Sequence, residues 1–105
     1  MAERVSEETF EEKVLRAKLP VLADFYSDSC IPCKMLSPVL SRLESEYAGK
    51  LEIVKVNVNF DAGLAERYEV LASPTLIVFR DGSEVSRLRG AAGKEQIEAL
   101  IDKVI

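Results

Sequence analysis

The chain contains no histidine and no tryptophan, and only two of its 105 residues are cysteines. The absence of histidine excludes every His-dependent triad, every imidazole general base and every histidine metal ligand. Basic residues are outnumbered, with 14 Lys and Arg against 18 Asp and Glu, and the net charge of −4 disfavours a nucleic-acid or anionic-membrane surface. No apolar run approaches the roughly 20 residues that span a bilayer.

The length and the first residues lead to expectations about organisation and compartment. A chain of 105 residues is long enough for one modest core, so residues 1–105 are expected to form a single domain. The first residues, MAERVSEETFEEK, are acidic and polar, which is not typical of a signal or transit peptide. We therefore expect the reducing cytoplasm as the compartment, where purely structural disulfides are disfavoured. A monomer is also expected.

Apolar patterns along the chain predict the element order β-α-β-α-β-α-β-β-α. The predicted strands are Ala2–Val5, Val21–Tyr26, Leu51–Asn59, Thr75–Phe79 and Glu84–Leu88, and the predicted helices begin at Ser6, after the cysteines, at Asp61 and at Lys94, the last running to Ile105. The strand 21–26 is apolar on both faces, which is typical of the middle of a sheet. Met35 is expected to fill space in the core. This alternation, followed by a hairpin, indicates an α/β fold with a mixed sheet and helices on both faces.

The two cysteines stand three positions apart in the stretch SCIPCKM, residues 29–35. A structural bridge from Cys30 to Cys33 would close a loop of about four residues and stabilise by only about 2 kcal/mol, against about 3 for a 15-residue loop. A zinc site would need two further ligands that nothing nearby supplies, so it would require a second chain. Both alternatives are weaker than a redox-active pair, because a CxxC that follows a strand in a βαβ pattern is typical of disulfide exchange.

The predicted start of a helix at the cysteines supplies the electrostatics for exchange. Pro32 suits a first helical turn, and the unpaired N–H groups there would face the Cys30 sulfur. An ordinary thiol, with a pKa of about 8.5, is roughly 3% thiolate at pH 7, and a decrease of one pKa unit raises this to about a quarter. Cys30 is therefore predicted to attack a disulfide. Cys33, about one turn further on, is predicted to resolve the mixed disulfide.

Asp24 is a carboxylate inside an otherwise apolar strand, where an unpaired charge is costly. One interpretation is a salt bridge to Lys55 on the next strand. The favoured one is a buried acid with a raised pKa that moves a proton to or from Cys33. Pro74, taken on its own, is an ordinary proline at the start of a strand.

The sequence resembles the thioredoxin family almost from end to end. The resemblance is carried by ADFY (23–26), CIPCKMLSP (30–38), KVNV (55–58), SPTL (73–76), FRDG (79–82) and GA (90–91). It implies a five-stranded mixed sheet between four helices and a dithiol that reduces disulfides in other proteins. It also implies no cofactor beyond the redox-active Cys30–Cys33 disulfide, disulfide-containing protein substrates, and recharging by an enzyme of the thioredoxin-reductase type.

The resemblance also implies particular roles for residues outside the cysteine pair. It matches Asp24 and Lys55 to the family's buried pair, and it places a cis proline at Pro74, facing the dithiol. The predicted substrate-binding residues are Ser29, Ile31, Pro32, Ser73, Pro74, Thr75, Gly90 and Ala91. No metal or nucleic acid is implied.

Two positions depart from the family's usual pattern. Ser29 stands where a tryptophan is usual, and Ile31 where a glycine is usual. Ser29 could cap the helix in place of packing an indole, and Ile31 should reshape the contact surface. These departures leave the reduction potential open. They motivate one alternative, a more oxidising thiol oxidant or isomerase. A second alternative, which the softness of thiolate ligands permits, is a non-catalytic module that binds a partner or shares a metal or iron–sulfur cluster between two chains.

Overall fold

The computed structural model describes residues 2–90 and 92–105. Its strands are β1 (Glu3–Arg4), β2 (Val21–Tyr26), β3 (Glu52–Asn57), β4 (Thr75–Arg80) and β5 (Ser83–Arg89). Its α-helices are α1 (Ile31–Glu46), α2 (Ala62–Arg67) and α3 (Lys94–Ile101), and a π-helical turn covers Glu11–Leu15. The element order and the α/β class agree with the order predicted from the sequence.

The described strands form one five-stranded sheet in the order β1-β3-β2-β4-β5. β2 is central, as its two apolar faces predict, and it pairs in parallel with β3 and antiparallel with β4. The mixed sheet therefore brings the end of β2, the end of β3 and the start of β4 to one edge. The cysteine loop leaves the sheet at this edge, directly after β2.

Helices cover both faces of the sheet and bury a separate apolar cluster on each. The cluster under α1 and α3 contains Leu22, Leu36, Leu40, Leu43, Leu51, Ile53, Leu76, Val78, Ile97, Leu100, Ile101 and Val104. The cluster on the opposite face contains Val5, Phe10, Val14, Val21, Ala23, Phe25, Val54, Val56, Leu64, Ile77 and Phe79. Because strand side chains alternate between faces, Asp24 shares the α1 face with Leu22, two positions before it.

The ends of several elements differ from the sequence-based expectation. The first helix does not begin at Ser6: the Ser6 N–H donates to the Thr9 hydroxyl in a turn, and helical backbone begins near Phe10. The next segment is a π-helical turn, in which the Arg16 N–H donates to the Glu11 carbonyl. Ser and Thr side chains commonly hydrogen-bond to nearby backbone groups, and these bonds compete with the backbone hydrogen bonds of a helix.

The remaining corrections concern lengths. β3 covers Glu52–Asn57 rather than 51–59, and α3 ends at Ile101 rather than at Ile105. The hairpin at Asp81-Gly82 is confirmed, since both residues have the positive φ of a tight turn, +52° and +83°. None of the helices within the described part of the chain is long and apolar enough to cross a membrane.

Candidate active site

The two cysteines are joined as a disulfide at the start of α1. Cys30 is the N-cap of the helix, with extended backbone (φ −85°, ψ 110°), and Pro32 lies in the first turn, where its missing N–H leaves no bond unmade. The N-cap is therefore Cys30 and not Ser29, so the capping role expected for Ser29 is wrong. Because the N-cap residue is Cys30 itself, the Cys30 sulfur lies directly at the end of the helix.

The backbone of α1 donates a hydrogen bond to the outer sulfur. The Cys33 N–H lies 3.1 Å from Cys30 Sγ. A negative charge on this sulfur in the reduced protein would be stabilised by the N–H donor together with the positive helix end. Cys30 is half-buried, whereas Cys33 is only 6% exposed. The outer sulfur can therefore be approached by another molecule, and the inner one is shielded.

The surface beside the disulfide is apolar. Ile31 is 70% exposed and Met35 is 73% exposed. The expectation that Met35 fills the core is wrong, because residues four apart share a helix face and Met35 lies on the outward face with Ile31, while Leu36 points inward. Met35 and Pro32 also line a cavity of about 410 Å³ that reaches Gly93. An apolar contact surface therefore extends from the cysteine loop toward α3.

Asp24 lies in the middle of β2, in register with Lys55 on β3 and with Leu76 on β4. It is 1% exposed, and its Oδ1 atom has no hydrogen-bond partner among the described residues. Burial raises the pKa of the Asp24 carboxyl from 3.8 to about 6, and the positive charge of Lys55 opposes this increase. A buried carboxyl that titrates close to neutral pH can accept and release a proton under physiological conditions.

Lys55 acts on Asp24 from a distance. No ion pair joins the two side chains in the part of the chain that the structure describes, and the Lys55 ammonium lies 4.5 Å from the centre of the Tyr26 ring. The interpretation of a direct salt bridge is therefore wrong. Asp24, Lys55 and Cys33 instead line the same cavity, of about 310 Å³, together with Tyr26, Ser27, Asp28, Lys34 and Ser37. The cavity connects the buried carboxyl to the inner cysteine.

The segment before β4 contains the cis Ser73–Pro74 bond that the resemblance implied. Pro74 is buried and Ser73 is half-buried. The Gly90 N–H donates to the Pro74 carbonyl at 2.8 Å, which joins the two segments predicted to form the two edges of a substrate groove. Ala91, predicted for the same edge as Gly90, lies outside the described residues.

Thr75 does not face a groove, so its predicted contact with substrate needs correction. It is fully buried, and its backbone pairs with Phe25 on one side and Arg89 on the other. Its hydroxyl donates to the Ala72 carbonyl at 2.7 Å. Thr75 therefore supports the segment from below and has no surface for a peptide.

Three polar residues at this edge, Ser27, Asp28 and Asn57, were not predicted from the sequence to belong to the site. The buried Asn57 amide nitrogen lies 3.4 Å from both carboxylate oxygens of Asp28, and its oxygen accepts the N–H of Asn59. Ser27 bonds to Ser73 across the start of β4. These contacts attach the cysteine loop to two neighbouring segments. The available signal was that polar residues stand directly after β2 and at the last position of β3, and that the ends of these two parallel strands meet at one edge of the sheet.

Comparison with known proteins agrees with the geometry. The family model described as Thioredoxin matches residues 1–103. Thioredoxin C-2 of Corynebacterium nephridii is 43% identical over 100 residues, which is 95% of this chain and 93% of that protein. Thioredoxin of Pseudomonas aeruginosa is 39% identical over 98 residues, 93% of this chain and 91% of that protein. Thioredoxin 1 of Synechococcus elongatus is 35% identical over 103 residues, 98% of this chain and 96% of that protein.

Members of this family work without a bound cofactor, because the cysteine pair itself carries the two electrons. A disulfide at a helix start, on a five-stranded mixed sheet, is the arrangement that the match implies. The chain belongs to the thioredoxin family, the thiol–disulfide oxidoreductases that reduce disulfide bonds in other proteins.

Proposed function

We propose that Cys30 is the attacking sulfur of this protein-disulfide reductase and that Cys33 is the resolving sulfur. The observation that carries the assignment is the hydrogen bond from the Cys33 N–H to Cys30 Sγ at the end of α1. It stabilises negative charge on the outer sulfur, which is also the more exposed of the two. Cys33 is within bonding reach of Cys30, as the disulfide between them requires.

The reaction proceeds in two exchanges. The Cys30 thiolate attacks one sulfur of the substrate disulfide, forms a mixed disulfide, and releases the other substrate sulfur as a thiolate that takes up a proton. Cys33 then loses its proton and attacks Cys30 Sγ. This step forms the intramolecular disulfide and releases the second substrate thiolate. The substrate gains two electrons, and the protein is left oxidised.

Asp24 is proposed to accept the Cys33 proton in the second exchange. Support comes from the shared cavity, the unpartnered Oδ1 and the pKa of Asp24, raised to about 6 by burial and held back by Lys55. At neutral pH the carboxyl is mostly ionised and therefore able to take a proton, yet basic enough to hold it. Lys55 is the electrostatic partner whose positive charge limits the increase in the pKa of Asp24.

The substrate peptide is proposed to lie between the segment Ser73–Pro74 and the loop at Gly90, over the cysteine loop. The bond from Gly90 to Pro74 supports this placement, since it holds the two segments side by side. Exposed apolar contacts would come from Ile31 and Pro32. Ser29 and Ala91 are kept in this proposed surface on the resemblance alone.

The family implies disulfide-containing protein substrates and a recharging reductase. We further propose a reductase of the thioredoxin-reductase type, a cytoplasmic location, and a monomer in which residues 1–105 form one domain. The near-complete coverage of bacterial thioredoxins by this chain supports these choices.

The test of the sulfur assignments is a trapping experiment. The variant Cys33→Ser should accumulate covalent adducts with substrate proteins, because the mixed disulfide on Cys30 can no longer be resolved. The variant Cys30→Ser is the matched control and should form none of these adducts. Adducts are counted by non-reducing electrophoresis and mapped by mass spectrometry. If adducts formed through Cys33 in Cys30→Ser and none formed through Cys30 in Cys33→Ser, the proposed roles would be reversed.

A more oxidising function remains the alternative that Ser29 and Ile31 motivate. Ile31 is largely exposed next to the disulfide, so it alters the surface where the exchange takes place. Equilibration of the protein with glutathione buffers measures the reduction potential, and a tenfold change in the equilibrium constant is about 30 mV for two electrons.

Metal analysis of protein purified without chelators tests the remaining alternative, a metal shared between two chains.

A further inference from the structure

Ser27 and Ser73 face each other just beyond the last paired residues of β2 and β4. The antiparallel register ends with Phe25 opposite Thr75, and two further steps along each chain place Ser27 opposite Ser73. Their hydroxyl oxygens are 3.2 Å apart, which is hydrogen-bond distance, although the residues are 46 positions apart in sequence. The sequence alone predicts no hydrogen bond between these two side chains.

Backbone groups near this pair are already bonded elsewhere. Pro74 has no N–H to offer β2, and its carbonyl accepts from Gly90. The Tyr26 carbonyl accepts the Val58 N–H at 2.9 Å. Among the described residues, the hydroxyl pair is thus the hydrogen bond that ties the residue after β2 to the residue before the cis proline.

Ser27 is also bonded to the reactive cysteine. Its carbonyl accepts the Cys30 N–H at 3.3 Å, inside the turn that leads into α1. One residue therefore contacts both parts of the proposed site: its main chain holds Cys30, and its side chain holds Ser73. We propose that the Ser27–Ser73 hydroxyl pair is a positioning device that sets the distance between the Cys30 sulfur and the segment along which a substrate peptide docks.

The proposal deepens the proposed function and rests on it, because a docking segment at Ser73 is part of that function. Disulfide exchange requires the attacking sulfur to approach the substrate disulfide in a near-attack geometry, and small misplacements slow such reactions strongly. A protein substrate is placed by docking, so its reduction depends on the spacing between the two segments. A small disulfide diffuses to Cys30 without docking, so its reduction does not depend on that spacing.

Four variants and one control test the hydroxyl pair. Ser27→Ala, Ser73→Ala and the double variant remove it, and Ser73→Thr keeps a hydroxyl at the same position. The added methyl has room, because a cavity of about 180 Å³ adjoins both serines. Ser45→Ala, on the exposed far part of α1, removes a hydroxyl outside the site.

We expect each single alanine variant to lower kcat/KM for insulin disulfide reduction by about fivefold, mainly through a higher KM. The double variant should lose no more than a single one, since each change removes the same hydrogen bond. Ser73→Thr should recover most of the loss, and Ser45→Ala should equal the unmodified protein. The rate with 5,5′-dithiobis(2-nitrobenzoate), a small disulfide, should stay within about twofold in every variant.

Two results would overturn the inference while leaving the proposed function intact. In the first, the losses of the two alanine variants multiply in the double variant, so that the hydroxyls act independently. In the second, the small disulfide slows as much as insulin does, so that the variants damage the sulfur itself. An unmodified protein that reduced no protein disulfide would instead contradict the proposed function, and the inference with it.

Discussion

The buried carboxyl of Asp24 should make the free energy of unfolding depend on pH. An Asp in the unfolded chain titrates near the ordinary value of 3.8, whereas burial raises the pKa of Asp24 in the folded protein to about 6. The folded state therefore binds the proton more tightly than the unfolded state does. Below about pH 4 the carboxyl is neutral in both states and costs nothing extra; above about pH 6 it is ionised in both, and the folded state carries the full penalty.

The size of the penalty follows from the two pKa values. One pKa unit corresponds to about 1.36 kcal/mol, so the difference between 3.8 and about 6 corresponds to about 3 kcal/mol. A domain of this size is stable by about 5–15 kcal/mol, so the penalty is a sizeable fraction of the total. Asp24→Asn replaces the carboxyl with a neutral group of similar shape, and it should recover up to this amount at pH 8.

The measurement is urea unfolding of the oxidised proteins at several pH values from 4 to 8. With a urea m-value of about 1–3 kcal/mol/M, the midpoint of Asp24→Asn should lie about 1–3 M above that of the unmodified protein at pH 8. Near pH 4 the two midpoints should approach each other. Comparing the two proteins at each pH cancels the titration of the other carboxyls.

The same substitution should slow catalysis near neutral pH. Without the Asp24 carboxylate, Cys33 loses the buried base proposed to take its proton, so we expect the rate of resolution to fall by up to about 100-fold at pH 7. The pH–rate profile of the unmodified protein should rise through about pH 6, and that of Asp24→Asn should lack this step. A difference in stability that is constant across pH would refute the raised pKa. A retained step in the rate profile would refute the proton-transfer role.

Two further predictions concern Lys55 and the core. Lys55→Gln removes the positive charge that lowers the pKa of Asp24, so the rise in the reduction rate should move to higher pH; an unmoved profile would contradict the electrostatic role. Leu43→Ala removes a fully buried side chain between α1 and the sheet and should lower the free energy of unfolding by about 2–5 kcal/mol in urea. Leu71→Ala is its control: Leu71 is 95% exposed, so its loss should change stability by less than about 0.5 kcal/mol.

Much of the fold was predictable because its signals are local. The apolar run of β2, the helical spacing after the cysteines and the Asp81-Gly82 turn each lie within a few neighbouring residues, and each is confirmed. The failures lie where a tertiary contact decides. Met35 fits the apolar spacing of α1, but its exposure depends on which side of the helix meets the sheet. Thr75 fits a groove by position, yet both neighbouring strands bury it.

The features of the candidate site also fall into two groups, those that adjacent residues determine and those that tertiary contacts determine. Sequence alone determined the two sulfurs, their spacing, the proline in the first helical turn and the presence of a carboxylate in an apolar strand, since these depend on adjacent residues. Tertiary structure decided that Asp24 and Lys55 share a cavity with Cys33 without an ion pair, and that Ser27 meets Ser73. Strand order and register bring together residues tens of positions apart, and no local pattern records which distant side chain lies within reach.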